Sequence, residues 1–420
     1  MSLSGFAAET QSIDDAIASP AIHADPAAFD ALFTRLRSED PVHWTEPADF
    51  RPFWTVSKHA DIQEVERNSA FLNAPRLILR TRALEEQTRA ATGGSSVLLR
   101  SLVNMDPPDH FAYRRLAQTW FTPQRIRLLE ADCRALAREC VDRMLEHGGA
   151  CDFVSDVAVW YPLRVIMRTL GLTRADEPLM LKLTQEIFGN DDPDVRAKRA
   201  NADLAASVLE FQSFFRELSA ARLANPTDDL ATVIATAEID GRPIADHEAM
   251  SYYILVATAG HDTTSSTVAG GLLALIDNPQ QQARLVADPA LMPAAVEEMT
   301  RWVSPVRHFF RTARDDYELR GRRIAAGDNL MMCYPSANRD EEAFDAPFAF
   351  RIDRTPNRHL AFGYGPHLCL GQHLARMEVR VFFEELLARV EGFERAGAPS
   401  WLQSSFVSGL KALPIRFRPR

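Results

Sequence analysis

Cysteine is scarce in this chain of 420 residues: Cys133, Cys140, Cys151, Cys333 and Cys369 are five in all, an odd number with no close pair and no Cys-x-x-Cys. That argues against a disulfide-stapled secreted domain and suits a reducing compartment, with the four other than Cys369 read as small buried hydrophobes. Basic charge is short as well, 47 Lys and Arg against 57 Asp and Glu, for a net charge of −10. An acidic balance argues against nucleic acid and anionic membrane surfaces as partners. Low-complexity linkers, internal repeats and sustained charge runs are absent, and 46% hydrophobic residues can fill one sizeable core. A single domain over residues 1–420 is therefore expected, although this length would usually suggest two or three. The first ten residues lack both a basic n-region and an apolar core, which argues against secretion and for a cytoplasmic protein without a membrane anchor.

One segment imitates a membrane span. From Met250 to Ile276 the chain is long and largely apolar, but Gly260, His261, Asp262 and a cluster of Thr and Ser interrupt its centre. Polar groups there are costly in lipid and ordinary where a helix crosses a protein core beside a reaction site. At about 1.5 Å per residue such a helix extends roughly 40 Å, enough to cross a domain. Gly260 and the hydroxyls of Thr263 and Thr264 are expected to loosen or widen its hydrogen-bond ladder and so open a pocket.

The most informative stretch is Phe362-Gly-Tyr-Gly-Pro-His-Leu-Cys-Leu-Gly371. Gly363, Gly365 and Gly371 suit a tight loop pressed against a flat group. A helix follows, with Leu374, Met377 and Val381 recurring at three to four residues. Its N-terminus is expected to lower the pKa of Cys369 and favour an anionic sulfur ligand. Local sequence leaves two other readings open. Zinc could sit among His359, His367, Cys369 and His373, although paired cysteines are missing. Cys369 could instead be a nucleophile if the loop turned His367 back as its base.

Two distant segments accompany this loop: Glu298-Met-Thr-Arg301 and Ala259-Gly-His-Asp-Thr-Thr264, with Asp106-Pro-Pro-Asp-His110 further upstream. Together they resemble the cytochrome P-450 superfamily of haem-thiolate monooxygenases, through its Phe-Gly-x-Gly-x-His-x-Cys-x-Gly loop, its Glu-x-x-Arg pair and its oxygen-activating helix. The resemblance runs from about residue 30 to the end and is strongest to soluble bacterial members that act on terpineol. Ser336-Ala-Asn-Arg-Asp-Glu-Glu342, Pro356-Asn-Arg-His-Leu360 and Ala412-Leu-Pro-Ile-Arg416 also fit.

The resemblance implies a mainly α fold with small β-sheets and a long central helix over a b-type haem (heme b, iron protoporphyrin IX). Cys369 would be the metal ligand, in a loop with Phe362, Gly363 and Gly371 against the haem. His110, Arg114, Arg311 and His367 match the residues that neutralise its two propionates, since buried carboxylates need cations. Asp262 and Thr263 match the family's acid and alcohol, because oxygen activation consumes protons and needs an acid and a relay. The plainer alternatives are that Thr263 bonds its own helix and Asp262 pairs with a surface arginine. Glu298 and Arg301 would be structural, paired with Arg354.

Leu255, Thr258, Ala259, Val306, Phe309, Phe406 and Val407 should line the substrate pocket, and their mostly apolar character suits a small hydrophobic ligand such as a monoterpenoid or alkyl-aromatic. The resemblance further implies a monomer that uses dioxygen. No flavin or iron-sulfur domain fits in the remaining chain, so electrons would come from a ferredoxin and its reductase, docking on a face that includes Arg376. A peroxide-driven peroxygenase and a haem-thiolate sensor are the rival functions. A sensor would not need Asp262 and Thr263.

Overall fold

The computed structural model describes residues 12–97, 100–188, 192–194 and 204–420. Helices α1 (His59–Arg67), α2 (Asp109–Gln118), α3 (Pro123–Glu146), α4 (Trp160–Thr169), α5 (Asp246–Asp277), α6 (Met292–Val303) and α7 (Gln372–Arg389) carry the side chains of interest. Small sheets stand beside them, as the mainly α reading expects. The largest has five strands, β1 (Val42–Thr45), β2 (Phe53–Val56), β3 (Phe71–Leu72), β4 (His308–Ala313) and β5 (Asn329–Cys333), in the order β1-β2-β5-β4-β3. Only the β2–β5 pair is parallel.

The apolar segment near residue 260 lies within α5, 32 residues long and buried on most of its circumference. A helix that is apolar all round belongs inside a protein, and α5 packs against α4, α6 and α7. Among the described residues no helix is long and apolar enough to cross a membrane. The expected widening of α5 is absent, because it runs as unbroken α-helix. The hydroxyls of Thr258, Thr263 and Thr267 donate to the carbonyls of Ile254, Ala259 and Thr263, at 2.7, 2.8 and 2.8 Å, in a helix that remains regular. Gly260 has a packing reason instead, since a Cβ there would lie 2.4 Å from Ile166 Cδ1 on α4. The glycine lets the two helices meet.

Local signals explain the other elements. Pro123 opens α3, and Thr122 Oγ1 accepts from the main-chain N–H of Arg125, which suits a proline first turn and a hydroxyl cap. α3 packs along α7, bridged by Arg134 to Glu385 at 3.0 Å and Arg380 to Glu130 at 2.8 Å. Alternation along β4 sends Phe309 and Arg311 to the cavity described below and Phe310 to the opposite face, where it joins Phe33, Phe53 and Met331.

Candidate active site

The loop before α7 is drawn tight by its own main chain. Cys369 N–H donates to Phe362 O at 2.9 Å and Leu368 N–H to Gly365 O at 3.1 Å, while Gly363 and Gly365 take φ of +71° and +66°. A Cβ at Gly365 would lie 2.5 Å from the carbonyl oxygen of Glu66, so glycine alone fits where the loop crosses α1. Gly371 caps α7, and Leu374, Met377 and Val381 are buried along it, as their spacing predicts.

Cys369 lines the cavity above the loop. Burial pushes its thiol pKa up, against the opposing effects of the Gly371 N–H and the charges of Arg114 and Arg376. In the protein by itself desolvation thus outweighs the depression expected of the helix N-terminus, and α7 starts three residues after Cys369. The zinc reading is corrected. Among the described residues no group of three or more His, Cys, Asp or Glu side chains could hold a metal ion, and His359 turns to Glu297 at 3.2 Å. His367 faces Asn73 Nδ2 at 2.8 Å and stacks on His110 at 4.0 Å between ring centroids, so it is no base for the thiol.

Between this loop and α5 lies a cavity of about 250 Å³. Four of the seven expected pocket residues line it, Leu255, Ala259, Val306 and Phe309. Three stand behind. Thr258 is buried with its hydroxyl on Ile254 O, Val407 pairs with Val306 as an isolated β-bridge, and Phe406 packs against the Phe309 ring at 5.5 Å. Leu102, Val103, Phe121, Ile166, Val256 and Pro305 complete the apolar wall. Sequence reading missed them because no motif marks them.

Thr263 reaches the cavity, and Asp262 does not line it. Asp262 Oδ1 lies 3.2 Å from His261 Nδ1, and His261 Nε2 lies 2.8 Å from Val159 O, so its nearest charge partner is a histidine and no surface arginine.

At its polar end the cavity meets Arg114 and Arg311, with His367 beside them and His110 stacked behind. Arg114 Nη2 donates to Leu368 O at 2.6 Å, and Arg311 Nη2 donates to Glu66 at 2.8 Å. The histidines depart from the expectation of four cations. Burial, aided by Arg114, lowers His110 to about 4, and burial with Arg311 lowers His367 to about 2. Both rings are therefore neutral near pH 7 in the protein by itself, able to offer N–H groups but no charge.

Glu298 and Arg301 are fully buried on α6, held by paired bonds of 2.8 Å, and Arg354 donates to Glu298 at 3.0 Å. Arg301 also donates to the carbonyls of Asn338 and Pro347, which ties α6 to the segments leading to the cysteine loop. Arg376 is engaged as well, donating to Glu297 and lying 4.3 Å over the Phe362 ring.

The residues fit a haem. Both ring nitrogens of wholly buried His110 and one oxygen of Glu66 lack any protein partner, two arginines face the same end, and a single cysteine stands under an apolar chamber. That combination suits a flat apolar group carrying a metal and acidic side groups.

Comparison with known proteins agrees. The model of the family described as cytochrome P450 matches residues 195–395. The protein called cytochrome P450-terp of a Pseudomonas species is 44% identical over 408 residues, 95% of each chain. Linalool 8-monooxygenase of Pseudomonas putida is 34% identical over 394 residues, 93% of this chain and 95% of its own. The crystal structure of CYP108D1 from Novosphingobium aromaticivorans superposes with a TM-score of 0.91 at 45% identity, covering 97% of this chain and 98% of that one. Fold and family thus define a haem protein. The chain belongs to the cytochrome P450 family, and it is a monooxygenase acting on hydrophobic substrates.

Proposed function

We propose that this monooxygenase hydroxylates a monoterpenoid or an alkyl-substituted aromatic, with electrons from a ferredoxin and its reductase. One observation carries the reading: the cavity holds Cys369 on one wall and Thr263 on another, with an apolar wall of Leu255, Ala259, Val306 and Phe309 away from its polar end. Related names support the substrate class. Besides linalool 8-monooxygenase, a Mycobacterium marinum cytochrome P450 solved in complex with pseudoionone matches at 34% identity and a TM-score of 0.87.

The haem is haem b, with Cys369 as its protein ligand. Phe362, Gly363 and Gly371 would lie against it, and Arg114, Arg311, His110 and His367 would hold its propionates. When bound, it supplies dioxygen binding and O–O cleavage, which thiolate donation favours. The protein supplies position and protons. Leu255, Ala259, Val306 and Phe309 hold an unactivated C–H bond in the chamber and exclude water. Thr263 passes protons inward, and Asp262 beside it in the sequence is their acid. The enzyme works as a cytoplasmic monomer, a setting in keeping with five free cysteines.

A panel of terpenes and alkylbenzenes tests this, scored first by the haem spin-state shift and then by product formed per NADH in the presence of ferredoxin and reductase. Several compounds of this class should shift the spectrum and be hydroxylated. Turnover confined to other classes, or supported by peroxide but not by ferredoxin, would reject the reading.

A further inference from the structure

Glu66 on α1 is buried at the polar end of the cavity, an unusual place for a carboxylate. Both of its side-chain partners, Arg311 Nη2 at 2.8 Å and the Tyr334 hydroxyl at 2.7 Å, donate to Oε1. Oε2 is buried and has no partner, although Glu66 lines the cavity. The carboxyl also abuts the cysteine loop, since a Cβ on Gly363 would lie 3.9 Å from both of its oxygens. A bare carboxylate oxygen in such a place is costly unless a donor arrives or the oxygen itself carries a proton.

Charge balance selects the second case. The groups facing Glu66 are Arg311 from β4, Tyr334 after β5 and the main chain of Tyr364, with Arg114 and His367 across the cavity and His110 behind, and Glu378 of α7 lines the same cavity with a bare Oε2 of its own, its carboxyl raised by burial. In the protein without its cofactor only the two arginines are cationic near pH 7. They match the two carboxylates of a protoporphyrin, and an ionised Glu66 would leave a buried negative charge in excess. As a carboxylic acid Glu66 adds no charge, and its O–H has an acceptor beside it.

We propose that Glu66 is held as the carboxylic acid and donates its Oε2 hydrogen to one of the cofactor's carboxylates, so that the enzyme keeps its haem through a carboxyl–carboxylate hydrogen bond. This rests on the haem b reading above. Burial raises the Glu66 carboxyl, against the pull of Arg311 and Tyr334, which agrees with the geometry. The sign of the pH effect follows. The proton is present at low pH, and ionisation at higher pH sets two anions against each other and loosens the haem.

The test is haem transfer from the holoenzyme to an excess of apomyoglobin between pH 6 and pH 9. Wild-type release should be about tenfold or more faster at the upper end, the effect of one pKa unit of linkage, whereas Glu66→Gln, which keeps a donor and does not titrate, should vary by less than about twofold. The difference infrared spectrum of haem-loaded wild type minus Glu66→Gln should show the carbonyl stretch of one unionised carboxylic acid, and its absence counts against the proposal. Should Glu66→Gln load poorly, Tyr334→Phe serves. It removes a donor that favours the carboxylate, so the rise should move to higher pH, and an unmoved rise counts against the proposal. A wild-type rate flat across the range, or a Glu66→Gln slope equal to the wild type's, overturns it, the latter placing the titrating proton on another group of the cavity such as Glu378. Failure of the wild type to take up haem at all would overturn the haem reading itself, and this inference with it.

Discussion

At the scale of single residues, the reaction side of the cavity turns on Thr263. Its hydroxyl donates to Ala259 O at 2.8 Å, which spends its hydrogen on the helix but leaves its lone pairs free to accept. A relay needs only that the hydroxyl rotate. Thr263→Ala should therefore still consume NADH while the yield of product per NADH falls roughly tenfold or more and peroxide appears instead; Thr263→Ser should restore coupling. Fully coupled turnover by the alanine variant would reject the relay. Cys369 was legible as a candidate ligand because its glycines and proline lie within ten residues of it. Its protonation was not, since burial by segments distant in the chain outweighs the helix that follows it. The same holds for His110 and His367. Histidine is neutral or charged according to what surrounds it, and here the surroundings converge from separate parts of the chain.

At the scale of elements, buried and half-buried ion pairs fasten α6 to the cysteine loop. With Glu298 fully buried, its removal leaves Arg301 and Arg354 without their shared anion, at a cost of about 3–5 kcal/mol. Glu298→Ala should give little soluble, haem-loaded protein, and a normal yield with full haem content would count against this role. Next to it in the sequence, Glu297 accepts from Arg376 of α7 and meets His359. Burial alone would raise this carboxyl, but the hydrogen bonds from His359 and Arg376 outweigh it and hold the pKa at about 2. A carboxyl depressed on folding stabilises the fold above its unfolded pKa and loses that contribution as pH falls toward the folded value. The stability gap between wild type and Glu297→Gln, measured by denaturant unfolding, should thus be full at pH 7 and shrink steadily from about pH 4.5 to about pH 2. A gap independent of pH would mean that the pair does not set this carboxyl. Glu-x-x-Arg was visible in sequence because one helical turn joins its members, and Arg354 was placed only by resemblance. The regularity of α5 was misjudged, because hydroxyls that can perturb a helix can equally bond within it, and Gly260 serves close packing against Ile166.

At the scale of the whole molecule, the chamber is a meeting of segments more than 200 residues apart: Leu102 and Phe121, the middle of α5, the turn at Pro305 and Val306, and the cysteine loop. Apolar residues in such segments look like ordinary core until the fold sets them around a common space, which is why only four of seven expected pocket residues reach it. Glu66 was invisible for the same reason, since Arg311 lies 245 positions away. The family and its chemistry were legible from three short motifs, whereas the substrate depends on this long-range assembly. The placement of Cys369 as the single protein ligand underlies every functional statement, and the carbon monoxide spectrum of the reduced protein tests it most directly. The wild type should give the thiolate-type band, and Cys369→Ser should lose it while the fold persists. An unchanged spectrum in the serine variant would contradict the assignment.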